Sequence, residues 1–307
     1  MKSGHRASLG VLLLTLVLAG CAGTPVAHPN RVKARENLSG AQELLMQNHP
    51  AQALSSIRKA LKMHRLSDDL PGTIDDMNRL ARISFYLGRN DASRLWINRA
   101  LLLEGISNYS VKRAETYILA SETAPPGQAG PWIEEAHRIA DAMPSGSPDK
   151  DRLEARLFQV EGMRASARKD YRGAIPLFNK ALALDLGRKD PLSVATDNAS
   201  LGRNYYLSGD FKNALRYFGT ALSGDEKLRN HAGIAFDLEG LSLAEAGLGE
   251  YRSAARRMME ASGVEAGLGR MEMSRRDVAF ARSLFKNIRT PDSERFREVL
   301  LHWFDAD

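Results

Sequence analysis

Leu201-Gly202-Arg203-Asn204-Tyr205-Tyr206-Leu207-Ser208-Gly209-Asp210-Phe211 holds the end of one apolar helix, a glycine–acid turn and the start of another. The turn Gly209-Asp210-Phe211 has counterparts forty residues earlier, Lys169-Asp170-Tyr171, and forty later, Gly249-Glu250-Tyr251. A small-to-large trio follows each turn: Ala174, Phe178 and Ala181; Ala214, Phe218 and Ala221; Ala254, Met258 and Ala261. Spacings of four and three put each trio on one helical face. Twelve residues before each leading alanine, in another apolar helix, sits a small residue: Gly162, Gly202 or Ser242. Small side chains let the second helix come close, and the large residue fills the gap against the next unit.

The same frame runs through the first half, where Ala41, Ala53, Ile57 and Ala60 are followed forty residues on by Ala81, Ser93, Ile97 and Ala100. Between the halves one unit is irregular. Its first helix is predicted near Val111 to Glu122, a loop runs through Pro125, Pro126 and Gly127, and its second helix starts at Pro131 with Ala136, Ala140 and Met143 inward. Proline suits a first helical turn, where its missing N–H has no partner to lose. In the tail, Val278, Ala281, Leu284, Phe285 and Ile288 form one stripe, and Phe296, Val299, Leu300, Trp303 and Phe304 form a second beyond Thr290-Pro291-Asp292. Both are read as a closing cap, which a repeat array needs at its end.

The stretch from Leu201 to Phe211, continued through Ala214, Phe218 and Ala221, resembles a tetratricopeptide (TPR) repeat. The likeness covers roughly residues 34 to 270 and is strongest from Leu153 to Gly263; the forty-residue spacing resembles the longer-period members. It implies an all-α fold: a right-handed superhelical solenoid of about six TPR-like helix hairpins with a C-terminal capping helix pair. The expected organisation is a signal peptide over 1–20, a lipidated cysteine and tether over 21–35, the repeat array over 36–270 and the cap over 271–307. In proteins of this kind the first helix of each unit lines a concave groove that holds extended or helical segments of partner proteins. Carried over residue by residue, that layout makes Asp75, Asn78, Arg82 and Tyr86, then Arg156 and Gln159, then Arg203 and Tyr206 the candidate groove residues. Arginine and tyrosine are common binding hot spots.

The first twenty-one residues carry a separate message. Lys2, His5 and Arg6 form a positive start, Val11 to Leu18 a short apolar core, and small residues follow, which is a secretory signal layout. Leu18-Ala19-Gly20-Cys21 resembles the bacterial lipobox, which implies cleavage before Cys21 and acylation of its thiol. Ala22 occupies the place where an aspartate would retain such a lipoprotein at the inner membrane. The resemblance therefore implies an anchor in the cell envelope, at the periplasmic face of the outer membrane. The segment after it, with Pro25 and Pro29, reads as a tether.

Composition narrows the function. Cys21 is the sole cysteine, so no intramolecular disulfide or cysteine-based zinc site is available. Lysine and arginine number 43 against 37 acidic residues, and loss of Lys2 and Arg6 with the signal peptide leaves a net charge of +4. These charges are interspersed, unlike the clustered stripe of a nucleic-acid binder, so no nucleic-acid partner is expected. Glu134 and His137 have a chelating spacing, but the pair occurs once, where a carboxylate-bridged metal site needs a duplicate. His28, His49, His64, His231 and His302 are scattered and read as surface residues. Gly247-Leu248-Gly249 and Gly267-Leu268-Gly269 lie between helices without the flanks of a phosphate loop, and no serine elbow is present. No catalytic residue, metal or cofactor is expected. The expected function is a membrane-anchored scaffold that binds envelope proteins and assists assembly of a secretion, pilus or polysaccharide machine. The alternative is a ligand-sensing regulatory solenoid for a small molecule or peptide.

Overall fold

The computed structural model describes residues 28–105, 110–125 and 127–284. Cys21, the lipobox, the tether up to residue 27 and the tail from residue 285 lie outside the described residues, and the tether expected to run to residue 35 stops short of it, because the first helix begins at Pro29. Among those described, thirteen helices follow one another without a strand. They pair as six hairpins: α1 (Pro29–Met46) with α2 (Pro50–Leu66), α3 (Leu70–Tyr86) with α4 (Asn90–Gly105), and α5 (Ser110–Thr123) with α6 (Gly130–Asp141). Next come α7 (Pro148–Ala167) with α8 (Tyr171–Arg188), α9 (Pro191–Leu207) with α10 (Phe211–Leu228), and α11 (His231–Gly247) with α12 (Tyr251–Gly267). The helix α13 (Met271–Leu284) packs on α12 as the first part of the cap. The chain is an all-α, TPR-like solenoid, with its irregular unit at α5 and α6 as expected.

The forty-residue beat is two beats of twenty. Backbone φ is positive at Lys169, Lys189, Gly209, Arg229, Gly249 and Gly269, so a left-handed residue ends each helix at a fixed interval. Glycine at 209 and 249 takes that conformation without the steric penalty a side chain carries there. The next residue then caps the following helix: Asp170, Asp190, Asp210 and Asn230 accept from the backbone N–H groups of Gly173, Ser193, Asn213 and Gly233. A helical stretch, a left-handed stop and a side-chain cap thus fill twenty residues and reverse the chain.

Packing within and between hairpins follows the small-to-large rule. Phe178 and Phe218 are buried, and a β-carbon built on Gly162 would stand 2.9 Å from the Phe178 ring, one on Gly202 2.8 Å from Phe218. Gly240, one hairpin further, lies against the outer end of the Phe218 ring, Cζ and the two Cε atoms, where Gly202 meets Cγ and the two Cδ atoms. Where serine replaces glycine at 242, its buried hydroxyl donates to the Ala254 carbonyl at 2.7 Å. In the irregular unit Ala136 and Ala140 are buried against Ile118 and Leu157, and Trp132 stacks on Tyr117 with ring centroids 5.7 Å apart. The array curls enough for its two ends to touch: the Asn48 amide donates to the Leu268 carbonyl at 3.1 Å and accepts from Arg270 at 3.2 Å.

One expectation is corrected. His64 is not a surface residue: it is buried in the last turn of α2, and its Nδ1 meets the Asp76 carboxylate of α3 at 2.7 Å. The next hairpin's first helix covers this position, and the same place in later units holds Glu104, Asp185, Asp225 and Glu265, all buried.

Candidate functional site

The first helices α3, α5 and α7 lie side by side, and together with the α8–α9 turn they border an open cavity of about 420 Å³. Its floor is the aliphatic row Ile118, Leu119 and Leu153, and its walls are charged. Arg79, Arg82, Lys112, Arg152, Arg156 and Arg188 supply six cationic groups, whereas Asp75, Glu115 and Asp190 supply three acidic ones. Four of the eight groove candidates, Asp75, Asn78, Arg82 and Arg156, line this cavity.

Polar rungs connect successive first helices. Lys112 on α5 reaches Asp75 on α3 at 2.8 Å, and Arg152 on α7 reaches Glu115 on α5. Burial works against the Lys112 ammonium, but Asp75 and Glu115 outweigh it and hold its pKa above the usual lysine value. The Asn78 amide donates to Thr116 at 2.8 Å, and Thr116 in turn donates to the buried Glu104 carboxylate at 2.6 Å. Burial pushes Glu104 up to about 7. Further along, Arg276 on α13 meets Glu239 on α11 at 2.7 Å, which continues the pattern of acid on one first helix and base on the next.

The groove centre is electrostatically uneven. Arg156 pairs with Glu122, and Arg82 approaches the same carboxylate at 3.6 Å, so two guanidiniums share one counter-charge. Burial and then the Arg156 charge draw the Arg82 pKa down, with Glu122 opposing. A second carboxylate brought by a ligand would complete this pair through charge-assisted, fork-shaped hydrogen bonds.

The remaining candidates occupy other places. Tyr86, at the end of α3, is 77% exposed and packs only loosely on Phe85, with ring centroids 6.3 Å apart. Gln159 is committed to the scaffold, its amide donating to Asp197 at 2.9 Å and Asp185 at 3.2 Å. Arg203 is exposed on α9, and Tyr206 leans on Phe211 at 5.8 Å; neither lines the cavity. His137 is paired with Glu161 at 3.1 Å. No group of three or more His, Cys, Asp or Glu side chains is placed to hold a metal among the described residues.

Lys112, Glu115, Glu122 and Arg152 escaped the sequence reading, which carried over residue types expected to touch a partner and not the charges that neutralise them. A signal was present: Asp75 and Glu115 are forty residues apart, as are Lys112 and Arg152.

The chain matches no protein-family model and no curated protein sequence. Among solved structures it is similar to PilW, a widely conserved type IV pilus biogenesis factor, with a TM-score of 0.49 and 19% identity, covering 79% of this chain and 97% of that one. It is also similar to TTC0263, a thermophilic TPR protein of Thermus thermophilus, with a TM-score of 0.42 and 19% identity over 66% of this chain and 98% of that one. RapI in its apo form gives a TM-score of 0.48 and 14% identity over 83% of this chain and 98% of that one.

Proposed function

We propose that this protein is a scaffold of the bacterial cell envelope, anchored through an acylated Cys21, whose groove along α3, α5 and α7 holds a segment of a partner protein. The observation that carries the reading is the cavity across three first helices, where Arg82 and Arg156 share Glu122 and cationic lining groups outnumber acidic ones two to one. Such a surface suits an extended or helical segment with acidic and apolar side chains. Its polar groups are engaged with one another in ion pairs, an arrangement that presents recognition chemistry and no activated nucleophile. A small ligand is the competing reading, since the volume falls within the range of ligand pockets, roughly 300–1,000 Å³. On the scaffold reading the partners belong to an assembling envelope machine, of the secretion, pilus or polysaccharide type.

A photo-crosslinking residue at Asn78 should capture a discrete envelope protein in intact cells. Replacing Arg82 and Arg156 with alanine should weaken that capture by about 1–3 kcal/mol, a typical range for hot-spot truncation, while the helical melting curve stays close to wild type. Replacing Arg203 and Tyr206 asks whether the binding surface extends to α9. Undiminished capture by a folded Arg82/Arg156 variant would remove the groove from the function.

Cys21→Ser should leave the array folded and block maturation at the lipobox. Metabolic labelling with a palmitate analogue should follow the wild type alone. A labelled serine variant would end the lipoprotein reading.

A further inference from the structure

The second helices of the first two hairpins turn a different surface to solvent. Between Pro50 and Leu66, α2 has no acidic residue, and Arg58, Lys59, Lys62 and Arg65 are all exposed along it. Among the described residues none of these four has an ion-pair partner. On α4, Arg94 is paired with Asp91 at 2.5 Å, and the Arg99 guanidinium lies 5.0 Å from the centre of the Trp96 ring. Between the two helices runs a hollow of about 750 Å³, lined by Arg65, Leu70, Met77, Trp96, Arg99 and Leu102. Large aliphatic groups stand out on the same face, Leu66 at 59% and Leu102 at 73% exposure. Of the acids nearby, Asp68 lines the hollow, Asp91 pairs with Arg94 and Glu104 is buried.

Along α2 and α4, six lysines and arginines stand against Asp91 and the buried Glu104, and with exposed leucines and a tryptophan among them they make a surface of two chemistries. Unpaired cations on long stems can follow mobile phosphate groups, and leucine and tryptophan side chains enter the boundary between headgroups and acyl chains. Position in the chain adds to this. His28 is seven residues beyond Cys21, a contour of at most about 25 Å, so an anchor at Cys21 would hold the first hairpins beside the bilayer. The groove cations are different in kind, since each already lies in an ion pair, Arg82 and Arg156 sharing Glu122.

We propose that the outer face of α2 and α4 rests on a phospholipid bilayer with anionic headgroups, seated by Arg58, Lys59, Lys62 and Arg65 and by the insertion of Leu66 and Leu102. This second surface orients the array, leaving the groove of α3, α5 and α7 for the partner. It does not depend on what the groove binds, and the anchor at Cys21 bears only on how close to the bilayer the first hairpins are held.

The test is co-flotation of the full, unacylated chain with vesicles of phosphatidylcholine alone or mixed with phosphatidylglycerol. Binding should favour the phosphatidylglycerol vesicles and weaken as salt is raised. Each basic side chain near such a surface contributes about fivefold, so R58E/K59E/K62E/R65E should lower that binding more than tenfold, to the level on phosphatidylcholine alone. The glutamine versions of the same four substitutions, milder for the fold, should give a smaller loss in the same direction. K212E/K227E, at exposed positions on α10, changes net charge elsewhere and should retain most of the binding. Because the amino-terminal apolar stretch is common to every variant, differences among them report the face itself. Equal flotation of the wild type with both vesicle types, or equal losses in the α2 and α10 variants, would overturn the proposal. So would wild-type flotation in a folded α2 variant, and an acidic polypeptide that binds this face while vesicles do not would assign it to a protein partner.

Discussion

Phe218→Ala should destabilise the array by about 3–5 kcal/mol, the range for emptying a buried aromatic site. The ring serves two interfaces at once. It fills the space over Gly202 on α9, within its own hairpin, and over Gly240 on α11, in the next, so its removal loosens both the unit and its coupling to its neighbour. In a solenoid, stability is the sum of repeat and nearest-neighbour contributions, and the loss should therefore show as earlier melting of the α9–α12 region. The complementary substitution is Gly240→Ala. Its new methyl group would stand 2.4 Å from the outer end of the Phe218 ring, whose inner end already lies against Gly202, and overpacking of this kind costs about 1–3 kcal/mol. Urea unfolding followed by helical circular dichroism measures both. A Phe218→Ala variant within about 1 kcal/mol of wild type would mean that the beat does not define the packing.

The packing was legible because it depends on size, and size recurs visibly at Phe178, Phe218 and Met258 over Gly162, Gly202 and Ser242. The irregular hairpin was legible from Pro125, Pro126, Gly127 and Pro131, since proline and glycine act on the backbone locally. The groove was legible only in part. Asp75, Asn78, Arg82 and Arg156 come together because first helices stack, but Gln159 is drawn away by two aspartates whose burial no apolar pattern announces. Acidic residues in a surface helix read as solvent-facing, and that habit hid the fold's least ordinary feature. Asp185 and Asp225 end α8 and α10, each twelve residues before Asp197 and Asp237 on the following first helix, and all four are buried. His64 with Asp76, Glu104 with Thr116 and Glu265 with Asp277 keep the same spacing. The repeated interval of twelve was available as a signal; its meaning needed the packing of one hairpin's end against the next hairpin's beginning.

These buried pairs should make the array more stable in mild acid than in mild alkali. Burial first, and then the neighbouring aspartate, pushes Asp197 and Asp237 up to about 8. Each then keeps a proton and donates it to the carboxylate of Asp185 or Asp225, since two carboxylates cannot hydrogen-bond without one. An unfolded aspartate loses its proton near pH 3.9. From about pH 4 to about pH 8 the folded chain thus holds protons that the unfolded chain has released, and each lowers stability by about 1.4 kcal/mol per pH unit as the pH rises. The contribution is complete below the unfolded value and gone once the pH passes the folded one. His137, raised chiefly by its hydrogen bond to Glu161, acts in the same direction over a narrower window, whereas Asp210, lowered by the Asn213 hydrogen bonds it receives, acts the opposite way and limits stability in strong acid. Denaturant melts at about pH 5 and about pH 8.5 should differ by several kcal/mol in favour of the lower pH. In Asp197→Asn/Asp237→Asn an amide supplies the donated hydrogen at every pH, so the variant should match the wild type near pH 5, exceed it near pH 8.5 and lose most of the slope between them. A flat wild-type profile, or an unchanged slope in the double variant, would show that the protons are held elsewhere. Because the pairs join the end of each hairpin to the start of the next, their ionisation acts at the joints that set the curvature of the groove, and loosening at high pH should begin between α8 and α9 and between α10 and α11.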